Sequence, residues 1–236
     1  MLFRSQSVIK MKKYFFVVLM LTTIQLNAQQ FGLSFSYFLP KHGEFSTPIS
    51  PFSIRGIGLE FNEFLSVESG ASLYRMTGLN VSGLPFESKS PIAGPNFTLF
   101  IPAELVFSLK GKGAAFSLKG GGFAYHGFFQ KLNTGNLDRA IRTFENWKVA
   151  NSDFSFSTKP GIGWMTGVEL TFDVTRQWGL SLEVNYLAGS SPFRLDGNYS
   201  GVDQSDLFQN KQVTYSHSKI DLTGLEVSLG IMMLGR

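Results

Sequence analysis

The chain has 236 residues, 16% of them charged, with 24 Phe, 25 Gly and no Cys. That length suits one β domain of ordinary size, and the lack of Cys excludes disulfides, thiolate metal sites and a lipid anchor on cysteine. The formal charge of +4 comes wholly from Arg4, Lys10, Lys12 and Lys13, because residues 1–28 carry no acid; the basic balance therefore reflects targeting and gives no reason to propose nucleic acid.

Residues 11–28 read MKKYFFVVLMLTTIQLNA. Lys12 and Lys13 precede the mostly apolar run Tyr14–Leu26, which is too short for a comfortable helical span. Leu26-Asn27-Ala28 is a cleavage site of the small-residue type. Residues 1–28 are thus expected to be a signal peptide, with Met11 the more natural start, and 29–236 one mature domain. No later segment is a candidate transmembrane helix.

The mature chain then offers eight strand candidates. The first, about 30–39, puts Phe31, Leu33, Phe35, Tyr37 and Leu39 on one face. Pro40, Pro48 and Pro51 mark a loop. The second (53–61) and third (64–77) flank a tight turn at Asn62-Glu63. After a loop over 78–96, the fourth, 97–109, alternates Phe97, Leu99, Ile101, Ala103, Leu105, Phe107 and Leu109 against Thr98, Phe100, Pro102, Glu104, Val106 and Ser108. Its Pro102 cannot donate a ladder bond and marks a bulge or a missing bond. Lys110–Gly113 reads as a turn to the fifth strand, 114–125. Pairing Phe107 with Phe116 sets Leu105 opposite Leu118 and Glu104 opposite Lys119. In the loop over 126–158, Leu137, Ile141, Phe144 and Lys148 fall at helical spacing. This predicts a short helix, either lying on anionic headgroups or packed on a rim. The loops are expected to be the least ordered parts and to lie together at the end opposite Gln30.

The stretch 162–188 carries the clearest period. Even positions Ile162, Trp164, Val168, Leu170 and Phe172, then Trp178, Leu180, Leu182, Val184 and Tyr186, are apolar; odd positions are Gly, Ser, Met and Asn, with Glu169 and Glu183. Alternation of this length is a strand period, and Asp173–Gln177 makes a hairpin. With Phe172 facing Trp178, Trp164 faces Tyr186 and Gly167 faces Glu183. In a soluble barrel or sandwich the apolar face is the core; in an outer-membrane barrel it meets lipid, and the small polar face fills the lumen. A Gly- and Ser-rich polar face suits a crowded interior, and aromatics at both ends fit interfacial girdles. The girdle residues are Trp164, Phe172, Trp178 and Tyr186. The two ends lie roughly 20 Å apart along a barrel axis at about 3.3 Å per residue and a tilt near 40°. After a polar loop over 189–218, the eighth strand, about 219–234, alternates Leu225, Val227, Leu229, Ile231 and Met233 with Glu226, Ser228 and Gly230.

The connections decide between the two. They are long after odd strands and short after even ones, at 62–63, 110–113 and 173–177. Short periplasmic turns with long outside loops are the pattern of outer-membrane barrels; a soluble barrel has no reason for it. The expected fold is all-β: an antiparallel eight-stranded up-and-down transmembrane β-barrel in the outer membrane of a Gram-negative bacterium. The signal ending NAQQ, the strand FTLFIPAELVFSL, the following FSLKGGGFAY and the last strand EVSLGIMML resemble the small OmpA/OmpX-type barrels. They look most like the PorT-like outer-membrane β-barrel domains of Bacteroidetes. The resemblance spans the mature chain as a pattern rather than a motif, and implies a role at the cell envelope or its secretion machinery. The ending Leu234-Gly235-Arg236 departs from the terminal aromatic residue of many such barrels.

No catalytic, metal or cofactor site is expected. His42, His126 and His217 are scattered in loops, and Lys119–Gly122 lacks the ending of a P-loop. His217, between Ser216 and Ser218, is the one candidate for lipid-modifying chemistry. By strand phase Glu60, Glu68, Glu104, Glu169, Glu183 and Glu226 point inward with Lys119, forming a lumen charge network. Such acids must pair, find hydroxyls or be protonated. The expected contacts are Glu104 with Lys119, hydroxyls of Ser66, Ser181 and Ser228, and Arg55 or Arg75 if a bulge turns either inward. The expected partners are outer-membrane lipids and an extracellular ligand or envelope protein. Three readings follow: a non-enzymatic barrel that binds through its loops or assists envelope assembly, a narrow passive pore, and a lipid-modifying enzyme.

Overall fold

The computed structural model describes residues 30–41, 49–76, 78–94 and 96–234. The signal peptide expected over 1–28, most of the first long loop with His42, and the terminal Gly235-Arg236 lie outside the described residues. In chain order the elements are β1 (Gln30–Pro40), β2 (Ile49–Glu60), β3 (Leu65–Met76), β4 (Val81–Ser82), β5 (Asn96–Lys110), β6 (Ala114–Phe128), α1 (Thr134–Glu145), β7 (Val149–Thr158), β8 (Gly161–Asp173), β9 (Trp178–Val202), β10 (Phe208–Tyr215), β11 (Lys219–Asp221) and β12 (Gly224–Leu234).

β1, β2, β3, β5, β6, β8, the first half of β9 and β12 pair antiparallel in that order. β12 closes the ring on β1, from Gln30↔Leu234 to Pro40↔Gly224. The result is a closed eight-stranded barrel with no free edge. Outward positions are the apolar ones: Leu105, Leu118, Leu180, Leu229 and Ile231 all lie exposed on its wall. Across Pro102 the β3–β5 register runs on without a bulge, and only the ladder opposite it is interrupted.

Two hairpins pair in a register other than the expected one. β5 and β6 pair as Phe107↔Leu118 and Lys110↔Ala115, with Gly113 at a φ of 82° in the loop. β8 and β9 pair as Phe172↔Leu180 and Trp164↔Ala188. In that turn the Thr175 hydroxyl accepts from the Gln177 and Trp178 amides. Both registers therefore differ by two residues from the expected ones: Val106, not Glu104, stands opposite Lys119, and Asn185, not Glu183, opposite Gly167. A shift of two leaves every side chain on its expected face.

The long connections are not irregular, which corrects the expectation of poorly ordered loops. β9 continues 25 residues without a break; its second half pairs β7 on one side and β10 on the other. β11 links β9 to β4. Their inner faces and α1 extend the hydrophobic core that begins with Phe38, Phe100 and Phe123 at the loop end of the barrel, with Ile92, Leu137, Ile141, Phe193, Leu195 and Ile220 all but inaccessible. The helix is capped by Asn133, whose side chain accepts from the Asn136 amide, and ends at Asn146 in the left-handed region. It packs against β7 and the loop after β4: the Asn136 amide group donates to the Pro91 carbonyl at 2.6 Å. Asp138 accepts from the Ser152 amide and hydroxyl at 2.8 and 2.5 Å. The packed-helix reading of 134–145 is thus the observed one.

Candidate functional site

The lumen is built from inward positions of all eight barrel strands. On β2 a bulge between Ile54↔Ala71 and Ile57↔Ser69, with Gly56 at a φ of 74°, turns Arg55 inward. Arg75 stays on the outer face, exposed. Arg55 Nη2 meets Glu226 Oε1 at 2.6 Å, both side chains fully buried, and the Tyr74 hydroxyl donates to the same oxygen. Lys119 Nζ lies 2.7 Å from Glu169, 3.2 Å from Glu183 and 3.8 Å from Glu68. Asn185 joins the two groups, donating to Glu183 at 2.9 Å and to Glu226 at 2.8 Å. Gly167 makes room for it, since a Cβ there would sit 1.9 Å from the Asn185 side-chain oxygen. The Ser36 hydroxyl bonds Ser53 at 2.9 Å and Ser228 at 2.7 Å.

Five of the six sequence-singled acids therefore line this interior, but not all in the expected contacts. Glu104 is buried opposite Gly121 and makes no ion pair with Lys119; the two-residue register difference moves it away. Its Oε1 has no protein donor among the described residues. Glu60 sits at the turn end, half-exposed, in a 3.3 Å pair with the exposed Lys110, so it belongs to the hydrated rim. Tyr74, Asn185 and Arg55 complete the network. The first two share inward phase with Glu68 and Glu183, the signal that could have found them; Arg55 needed the bulge.

Toward the loop end the lumen changes character. Phe38, Tyr74, Phe100, Phe123, Met165 and Leu187 are buried there. Phe100 and Phe123 rings meet at a tilt with centroids 4.7 Å apart, and the Arg55 guanidinium lies 5.9 Å from the Phe100 centroid. A cavity of about 120 Å³ opens at the turn end, between Glu68, Ser117 and Glu169.

On the outer wall Trp164, Phe172 and Trp178 are exposed. Trp164 and Tyr186 rings meet at 5.6 Å although they are diagonal rather than opposed, Trp164 facing Ala188 and Thr166 facing Tyr186. Phe172 faces Leu180, so it and Trp178 are likewise diagonal.

Beyond the barrel, the sheet β7–β9–β10 has two unlike faces. The inner one holds Phe154, Phe193, Leu195, Tyr199 and Tyr215 against α1 and Trp147. Tyr199 donates to Glu145 at 2.6 Å and Lys211 pairs with it at 2.5 Å. Burial raises the Glu145 carboxyl, but Lys211 and Tyr199 outweigh it and hold the group below its ordinary range. On the outer face Asp153, Asn198 and Gln212 form one row across the three strands. They line a shallow groove of about 570 Å³ with Ser155, Asp196 and Asn210. Arg194 donates twice to Asp196, at 2.5 and 3.0 Å, and these bonds, with one from Thr214, hold that carboxyl below its ordinary range.

Among the described residues, His126 and His217 form no reactive set. His126 stacks edge-on against Phe128 at 5.0 Å. His217 is exposed, while the Ser218 hydroxyl is given to the carbonyls of Phe193 and Tyr215. Among the described residues no acid–histidine cluster fit for a metal occurs.

No family model matches the chain, and no curated protein matches it. Solved structures do match in fold. The outer-membrane protein OprG of Pseudomonas aeruginosa aligns at a TM-score of 0.55 and 12% identity, over 86% of this chain and 94% of its own. Ail, the attachment invasion locus protein of Yersinia pestis, aligns over the same share at 0.37 and 11%. The chain is thus a closed antiparallel eight-stranded barrel of the outer-membrane type. Its apolar outer wall is the lipid-facing surface of a barrel in that membrane.

Proposed function

We propose that the protein is a closed, non-conducting, non-enzymatic outer-membrane barrel whose external β-sheet is a rigid binding platform. One observation carries this reading. The loop-side lumen is packed with Phe38, Tyr74, Phe100, Phe123, Met165 and Leu187, directly beside ion pairs that cross-link β2, β6, β8, β9 and β12. An eight-stranded barrel has just enough interior for its own side chains, and here they fill it. The part free to bind is the external sheet, which is rooted in β9 itself rather than hung on a flexible loop. The use of Ser218 as a donor to two backbone carbonyls supports the non-enzymatic reading over a lipid-modifying one. The PorT-like resemblance supports an envelope role, and the short turns at the opposite rim favour the external end for it.

Planar-bilayer recording of refolded protein tests this. The wild type should be silent, and Phe100→Ala with Phe123→Ala should introduce conductance steps. Steps in the wild type would establish the pore reading. Lipid A mass spectra should be identical with wild type and His217→Ala; a mass change lost with His217→Ala would establish the enzyme.

A further inference from the structure

We propose that the outer face of the β7–β9–β10 sheet binds the saccharide chain of an outer-leaflet glycolipid. This rests on the reading of that sheet as the binding platform, and names its ligand.

The first observation is position. β9 is one unbroken strand, and its even positions keep one side throughout. Below, they are Trp178, Leu180, Leu182, Val184, Tyr186 and Ala188, on the lipid-facing wall. Above, they are Arg194, Asp196, Asn198 and Ser200. The groove is therefore the upward continuation of the wall that touches lipid, and it overlooks the leaflet rather than the barrel axis. Its central row, Asp153, Asn198 and Gln212, stands ten residues past Ala188. That is roughly 25 Å above the hydrocarbon at about 3.3 Å per residue and a tilt near 40°. A phospholipid headgroup layer reaches only about 5–8 Å. Among lipids, one bearing an extended headgroup can stand against this row.

The second observation is chemistry. The groove is lined by carboxylates, which accept, and by carboxamides and a hydroxyl, which both donate and accept. It has no Lys, the usual residue of a merely solvated sheet surface, and no aromatic or aliphatic side chain. Arg194, beside the groove, is neutralised by bidentate bonding to Asp196, and Asp153 stands in the lining without a cation, so the surface disfavours a phosphate. The hydroxyls of a sugar, which donate to the carboxylates and exchange bonds with the carboxamides, are what such a surface fits. Neighbouring side chains lie about 5 Å apart across the strands and roughly 7 Å along them, so one saccharide spans several partners. The concavity, about 570 Å³, is of ligand-site size.

The test uses the refolded chain in phosphatidylcholine nanodiscs carrying either full-core or deep-rough lipopolysaccharide, which share lipid phosphates and differ in saccharide. Backbone amide shifts at Asp153, Asn198 and Gln212 should appear with the full core and not with the deep-rough lipid. The triple change Asp153→Ala, Asn198→Ala, Gln212→Ala should abolish the response of the surrounding amides while heat-dependent gel mobility is kept. Soluble core oligosaccharide should need at least about tenfold higher concentration than the membrane-tethered form. Equal shifts from the deep-rough lipid would mean phosphate recognition, and equal potency of the soluble sugar would mean a solute site; either overturns the proposal, as does silence with the full core. Conductance recorded on the same preparation reports separately on the closed-barrel reading.

Discussion

The barrel and the external sheet are built from one strand with opposite logic. In the lower half of β9 the odd positions, Ser181, Glu183 and Asn185, are polar and buried, while the even ones are apolar and exposed. In the upper half the odd positions, Phe193, Leu195 and Tyr199, are apolar and buried, while the even ones are polar. The strand is inside-out below and right-side-out above, and the exchange falls between Ala188 and Arg194. The chain changes solvent there: lipid satisfies an apolar wall and leaves polar groups to pair inside, whereas water does the reverse.

The largest effect expected from breaking this contrast is in the lower region. Lys119→Met strands Glu68, Glu169 and Glu183 around an apolar chain. It should cost about 3–5 kcal/mol in urea unfolding of refolded barrel. Adding Glu183→Gln should cost less than the sum of the two single changes. A loss under about 1 kcal/mol for Lys119→Met is the behaviour of a hydrated pair and would refute the buried network.

In the upper region Leu195→Ala should cost about 2–5 kcal/mol, but locally. Protease should then cut within 149–215 while the barrel keeps its heat-dependent mobility. Loss of the barrel along with the sheet would show that the two regions are one cooperative unit.

Asn185→Leu sharpens the description of the lumen, because Asn185 bridges both carboxylate groups. It should cost about 1–3 kcal/mol through unsatisfied acceptors. A neutral result in the same urea titration would mean that the Lys119 and Arg55 groups act independently.

The smallest effect is a pH response confined to the sheet. The folded Glu145 carboxyl is held low, with Lys211 and Tyr199 outweighing burial. Its contribution is therefore complete above the unfolded value of about 4.3 and is lost as pH falls through the lowered folded value. Amide exchange in 134–145 should quicken below about pH 4, and Glu145→Gln should remove part of that dependence. Asp196, lowered by Arg194, accounts for a further part. An acid response unchanged in Glu145→Gln would remove the clamp from the account.

The sequence made the barrel legible through parity. Alternation over 162–188 and 225–233 placed Glu169, Glu183 and Glu226 inside and Trp164 and Trp178 outside. Register was not legible, because a shift of two residues preserves every face; Glu104 was thereby paired with Lys119, when Val106 stands there. Arg55 faces inward only through a bulge. The external sheet was read as loop because Ser152, Gly197 and Lys211 interrupt the apolar side of its three strands, and its other side is wholly polar between Asn151 and Ser157. The alternation of Phe193, Leu195 and Tyr199 was present but ran in the phase opposite to the barrel below it.

The exchange of faces along β9 is open to direct measurement, since the chain has no native cysteine. Single changes Leu182→Cys, Val184→Cys, Ala188→Cys, Arg194→Cys, Asn198→Cys and Ser200→Cys should be probed on intact cells with a membrane-impermeant maleimide. The account predicts labelling at 194, 198 and 200 and none at 182, 184 and 188. Labelling at 182 or 184, or protection at 198 and 200 until cells are lysed, would contradict it.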